Sequence, residues 1–140
     1  MTTSETRALE LLDVMPVGKG RPRFSGNHAY TPARTREYEA MIRTAWIVRN
    51  GSKAFTGRVT VACEFCFLPP LSWSKKRRAD ALAGAEMVKK PDCDNLLKAI
   101  LDALNGIAYQ DDAQVQSIMA SKRYTDRPAV RVWVTEEDGQ

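Results

Sequence analysis

The chain holds a single histidine, His28, and only three cysteines, Cys63, Cys66 and Cys93. One histidine removes most zinc sites and most Ser-His-Asp chemistries from consideration. An odd number of cysteines at no framework spacing excludes a disulfide-stapled scaffold and fits a reducing compartment. Cys63 and Cys66 form a C-x-x-C with no second pair; on a strand they face opposite sides, so core packing is their expected use. Long apolar runs are also missing. The longest, Val61 to Leu68, is broken by Glu64 and is far too short to cross a bilayer as a helix. The opening residues (MTTSETRALELLD) carry acids where a secretion signal needs a basic end and an apolar run. A cytoplasmic protein is expected.

What is present is ordinary for one globular unit: 140 residues, 44% hydrophobic and 27% charged. With no repeat, no low-complexity tract and no linker, residues 1–140 read as a single domain. The charge is unevenly distributed. Between Asp92 and Asp112 lie five acids and one base, Lys98, whereas the remainder holds 20 bases against 12 acids and so carries +8. A basic body with one acidic focus suits a protein that grips a polyanion and sets a metal against it. A solubilised surface with chance clustering accounts for the same numbers.

Residues 8–15 read as a strand and 16–32, rich in proline and glycine, as a long loop. Thr31 as N-cap and Pro32 at the first helical position open a helix whose apolar face is Tyr38, Met41, Ile42, Ala45 and Trp46, ended by Asn50-Gly51. Residues 58–68 alternate, with Val59, Val61, Cys63, Phe65 and Phe67 on one face of a strand, and Pro69-Pro70 stops it. A short basic helix is expected within 72–88. A second amphipathic helix follows over 94–104, with Leu97, Ile100, Leu101 and Leu104 inward. Two strands, 113–124 and 129–135, are expected to form a hairpin through Asp126-Arg127-Pro128. The order β-α-β-α-α-β-β predicts a small α+β fold, a mainly antiparallel or mixed four-stranded sheet with helices packed on it.

The chemistry concentrates around the second amphipathic helix. Asp92 and Asp94, two apart after Pro91, are expected to point the same way from an extended segment. Both lie near the positive end of a helix dipole, which favours ionised carboxylates able to ligate a hard cation. Lys98 and Asp102 follow at steps of four, on one helix face. Asp111-Asp112 arrives after the helix ends, where the chain can turn back. Structural readings compete at each point: Asp94 as an N-cap, Asp111-Asp112 as an exposed turn, Lys98 with Asp102 as a surface ion pair.

The stretch KPDCDNLLKAILDALNGIAYQDDAQV resembles the signature of the RusA-type Holliday-junction resolvases, the crossover junction endodeoxyribonucleases. The shared residues are Asp92, Asp94, Asn95, Lys98, Asp111, Asp112, Gln114 and Val115. The upstream GKGRPRF, the YTP before a helix with Thr35 and Tyr38, and WSKKRR are similar too, so the likeness spans roughly residues 16–124. The resemblance implies a Mg²⁺-dependent homodimer, with Mn²⁺ as a substitute, that nicks opposed strands of four-way junction DNA. It implies no membrane and no nucleotide cofactor, and a bacterial host or phage as the source. Asp92, Asp94 and Asp112 would be the catalytic, metal-holding carboxylates and Lys98 the essential lysine. Asn95 and Asp111 would stand behind them and orient ligands or water.

The remaining bases supply a candidate DNA footprint. Lys19, Arg21 and Arg23, with Phe24 and Tyr30, form a basic aromatic loop able to contact phosphates and stack on bases. Lys75, Lys76, Arg77 and Arg78, then Lys89 and Lys90, extend it. Solvated surface charge is the alternative for each group. Trp46 and Trp133 are expected in the core or at an interface.

Overall fold

The computed structural model describes residues 4–20, 23–26, 28–30, 32–84 and 87–137, with the backbone alone for 23–25 and 28–30. Strand β1 (Ser4–Leu12) is followed by a small antiparallel pair, β2 (Arg23–Ser25) and β3 (His28–Tyr30). Helix α1 (Ala33–Asn50) leads to β4 (Val59–Phe67), then to α2 (Lys75–Leu82) and α3 (Cys93–Leu104). Strands β5 (Val115–Tyr124) and β6 (Ala129–Glu137) complete the described chain. The fold is α+β, as its sequence pattern predicts.

The four long strands form one mixed sheet in the order β1-β6-β4-β5. The β1–β6 and β6–β4 pairs are antiparallel, and β4–β5 is parallel. The expected β5–β6 hairpin is therefore absent, because β4 lies between them. Burial explains the choice. Val59, Val61, Cys63 and Phe65 of β4 pair with Glu136, Val134, Val132 and Val130 of β6, and from Val61 onward this matches core-facing residues on both strands. Strand β5 is exposed along most of its length and is placed at the sheet edge. The link between β5 and β6 crosses the end of β4, where the Thr125 amide donates to the Phe67 carbonyl (2.8 Å).

Helices α1 and α3 cover one face of the sheet. Tyr38, Ile42 and Trp46 of α1 meet Leu96, Ile100 and Leu104 of α3 in the core with the inward residues of β4 and β6. Burying side chains of this size contributes about 1.5–3 kcal/mol each. Two local expectations change. Part of the expected loop 16–32 is the β2–β3 pair, and Pro32 occupies the N-cap itself, with helix beginning at Ala33. Thr31 lies outside the described residues. Trp133 points away from the core and is half exposed.

Candidate active site

Helix α3 buries Leu96, Leu97, Ala99, Ile100, Ala103 and Leu104, which leaves Asp94, Lys98 and Asp102 along its outer side. Its N-cap is Asp92, in extended conformation, whose carboxylate makes no capping bond. Asp94 already belongs to the first turn, and its carboxylate accepts the Asn95 backbone N–H (2.9 Å). The two acids thus do not share the extended segment that their spacing predicts, because the helix starts at Cys93, between them. Both are exposed at the helix end where the dipole favours negative charge.

A lysine that no sequence motif singles out holds the approach to this turn. Lys122 of β5 donates to the carbonyls of Lys89 (2.6 Å) and Pro91 (3.0 Å), fixing the segment just before Asp92 to the sheet. Its signal was its register. Lys122 alternates with Ala120 and Tyr124, which turn toward the core, so a cation stands where an apolar residue is expected.

The Asp-Asp-x-Gln segment forms a 3₁₀ turn over Asp112–Gln114. Asp111 caps it, accepting the Ala113 N–H (2.9 Å) while its own N–H donates to the Gln114 side chain (2.8 Å). Gln114 in turn donates to the carbonyls of Phe55 (2.9 Å) and Gly57 (2.7 Å). Asp111 and Gln114 are thus committed to holding the turn, and Asp112 is left exposed with no side-chain bond among the described residues. Nearby, Tyr109 donates to the Leu101 carbonyl (2.8 Å). Burial, followed by the charges of Asp112 and Asp102, holds its phenol well above the usual range. Both acids therefore lie within electrostatic reach of one hydroxyl. Among the described residues, no three His, Cys, Asp or Glu side chains stand together as a ready cation cage. Asp92 and Asp94 lie exposed at the start of α3, and Asp112 lies exposed in the turn that follows its end.

Lys19, expected on DNA, faces inward. Its ammonium contacts Glu39 (2.7 Å) and Asp102 (3.1 Å), and Lys98 lies 3.8 Å from the same Asp102 oxygen. Burial opposes the Lys19 charge, but bonds to the two carboxylates outweigh it and raise the pKa. The flanking loop is built for close approach. A Cβ on Gly18 would stand 2.7 Å from the Asn95 side-chain nitrogen, and one on Gly20 would stand 2.7 Å from the Thr35 hydroxyl. The Gly20 N–H donates to that hydroxyl (3.1 Å), and the Lys19 N–H donates to the Asn95 carbonyl (3.1 Å). Asn95, expected to orient ligands, has its side chain beside this loop. Arg21 lies outside the described residues, and Arg23 opens β2.

The other bases gather around one ring. Trp73 packs edge-on against Tyr124 (5.4 Å), with the Arg77 guanidinium 3.7 Å and the Lys89 ammonium 5.5 Å from its centre. The clusters 75–78 and 89–90, separate in sequence, therefore form one patch. Lys75, Lys76, Arg77, Lys89 and Lys90 are exposed, while Arg78 is half-buried. Lys90 lies 3.7 Å from Asp92, which joins the patch to the acidic turn. The first turn of α2 carries Lys75, Lys76 and no acid, so cations stand at the positive end of the helix. That arrangement costs about 0.3–1 kcal/mol per charge. An external polyanion would benefit from it.

This arrangement of acids, lysine and basic patch falls within a recognised family. Residues 13–135 match the family described as Endodeoxyribonuclease RusA. The chain is also similar to the uncharacterized protein YqaN of Bacillus subtilis (strain 168), at 33% identity over 128 residues, covering 86% of this chain and 90% of that protein. The match takes in both the acidic turn on α3 and the Asp111–Gln114 turn that supports Asp112, and the chain belongs to the RusA endodeoxyribonuclease family.

Proposed function

We propose that the protein is a Mg²⁺-dependent endodeoxyribonuclease that resolves four-way DNA junctions by paired nicking of opposed strands. The observation that carries this reading is the acidic turn of α3, followed by the exposed Asp112 and bordered by the Trp73-centred basic patch. A purely DNA-binding module would lose affinity by presenting uncapped carboxylates to phosphate.

The donor set fits a hard divalent cation: all three candidate ligands are aspartates, and the carboxylates of Asp92 and Asp112 have no hydrogen bond within the described fold to give up. When bound, the cation supplies charge relief at the phosphate and eases ionisation of water. Asp92, Asp94 and Asp112 would hold it. Lys98, with 63% of its side chain exposed, presents a positive charge to the scissile phosphate. Lys75, Lys76, Arg77 and Lys89 engage flanking phosphates and set the strand across the site.

Paired nicks need two matched sites, so the functional unit is a C₂ dimer. Sedimentation should give a mass near twice the 15.7 kDa chain. The deciding assay compares cleavage of a four-way junction, a flap and a linear duplex, with Mg²⁺, with Mn²⁺ and with EDTA. Metal-dependent cleavage preferring the junction supports the proposal. Equal or better cleavage of the flap points to a nuclease of other branched DNA, and binding without cleavage overturns the enzymatic reading.

A further inference from the structure

We propose that Lys19 is a positioning residue of this site: it neutralises Asp102 from the core side and thereby leaves the Lys98 ammonium free to reach DNA. The inference rests on the reading of Lys98 as the lysine that meets the scissile phosphate.

Four charged side chains form a line, Glu39, Lys19, Asp102 and Lys98. Lys19 sits between two carboxylates at hydrogen-bonding distance, 2.7 Å from Glu39 and 3.1 Å from Asp102. Lys98 approaches the same Asp102 oxygen only to 3.8 Å, beyond that range. Lys19 thus takes the two strong contacts and Lys98 has the weak one. Enclosure separates the lysines in the same way, since 18% of the Lys19 side chain is exposed against 63% for Lys98. Glu39 on α1 is itself buried at 8% exposure, so Lys19 is anchored from the interior. The backbone makes the placement rigid: the Lys19 N–H donates to the Asn95 carbonyl, one turn before Lys98. The close approaches at Gly18 and Gly20 hold the loop on both sides.

Without Lys19, the Asp102 carboxylate would face one cation among the described residues, Lys98, four residues earlier on the same helix. At that spacing the two side chains are neighbours on the helix surface, and the pair closes. Lys98 would then have to leave a carboxylate before contacting a phosphate. Lys19 prevents that capture, and its own enclosed ammonium makes no DNA contact.

The test compares Lys19→Met/Glu39→Gln with Lys19→Met/Glu39→Gln/Asp102→Asn, two proteins that differ only at Asp102. The first readout needs no DNA: the rate at which acetic anhydride modifies Lys98, followed by mass spectrometry, since an ion-paired ammonium acylates slowly. The second is single-turnover nicking of a four-way junction with Mg²⁺, beside junction affinity. The double variant should lose about twofold in both Lys98 labelling and nicking, the value of a closed i,i+4 surface pair, at unchanged affinity. The triple variant should recover both. Unchanged labelling in the double variant, or no recovery in the triple, overturns the proposal. So does a loss of affinity that Asp102→Asn fails to restore, which would make Lys19 a DNA contact. Should the double variant not melt cooperatively, Asp102→Asn alone decides. Labelling of Lys98 must then stay at the wild-type rate, and a rise of about twofold shows that Asp102 already holds Lys98. Failure of the underlying reading looks different: wild type would not nick at all, or Lys98→Ala would nick as fast as wild type, while the labelling pattern stands.

Discussion

Gln114 and Asp111 hold each other across a single turn, the Asp111 N–H donating to the Gln114 carbonyl oxygen at 2.8 Å while the Gln114 amide grips Phe55 and Gly57. This reciprocal bond splits an apparently uniform Asp-Asp pair into one structural and one available carboxylate. Asp111→Ala should therefore cost about 1 kcal/mol, the value of an N-cap. Asp112→Asn should leave metal-free stability unchanged or slightly higher, abolish nicking, and lose most of the rise in melting temperature produced by Mg²⁺. Thermal melts of both variants in EDTA and in Mg²⁺ check this. A drop in melting temperature for Asp112→Asn equal to that for Asp111→Ala would remove Asp112 from the site.

Asp92→Asn and Asp94→Asn should each abolish cleavage and keep or tighten junction binding, because each removes a negative charge from beside phosphate. Gel-shift and cleavage assays run in parallel separate the two effects. Parallel loss of binding and cleavage would mean that these acids support structure.

Lys75→Ala and Lys76→Ala remove cations from the positive end of α2. Each should stabilise the fold by about 0.3–1 kcal/mol while weakening DNA binding. The log–log salt dependence of binding should flatten by about 0.9 for each phosphate that the variant no longer neutralises. Opposite signs for stability and affinity are the expected signature; a fall in both would give these lysines a structural role.

Glu64 lies on the sheet face opposite the helices, with Arg131 at 2.7 Å and Arg123 at 3.4 Å. Burial opposes its charge, but the two arginines outweigh burial and hold its pKa below the ordinary 4.5. A depressed folded-state pKa gives stability that is complete above the unfolded value and is lost as pH falls through the folded one. Glu64→Gln should thus cost about 1–2 kcal/mol at pH 7. Denaturant titrations should show that difference shrinking steadily below about pH 4.5.

The parts of the fold that could be read directly were those with a strong period. The inward faces of α1 and α3 and the alternation of β4 are each fixed by burial along one element, and local pattern reports them. The neighbours of β5 and β6 were not readable, because a short proline turn signals reversal without saying whether a third strand enters between its arms. Among candidate site residues, Asp92, Asp94, Lys98 and Asp112 stand out in the sequence by type, spacing and family resemblance. The inward turn of Lys19 was missed, because its partners Glu39 and Asp102 come from two different helices. The β2–β3 pair was hidden by the prolines on either side of it and by Gly26 in its turn, which mark turns as readily as loops.

The position of β6 has a consequence for synthesis. It lies between β1 and β4, so the strand made last among those described holds the first against the rest. Until residues 129–137 have left the ribosome, β1 has no partner in the sheet and the edge of β4 that pairs with β6 is open. Such long-range pairing makes folding slow relative to helix formation. The helix bearing Asp94 and Lys98 can form early, but the frame that sets it against Lys122 and Asp112 waits for the final strand. A nascent chain therefore carries the acids and the bases of the site before the sheet that positions them is complete.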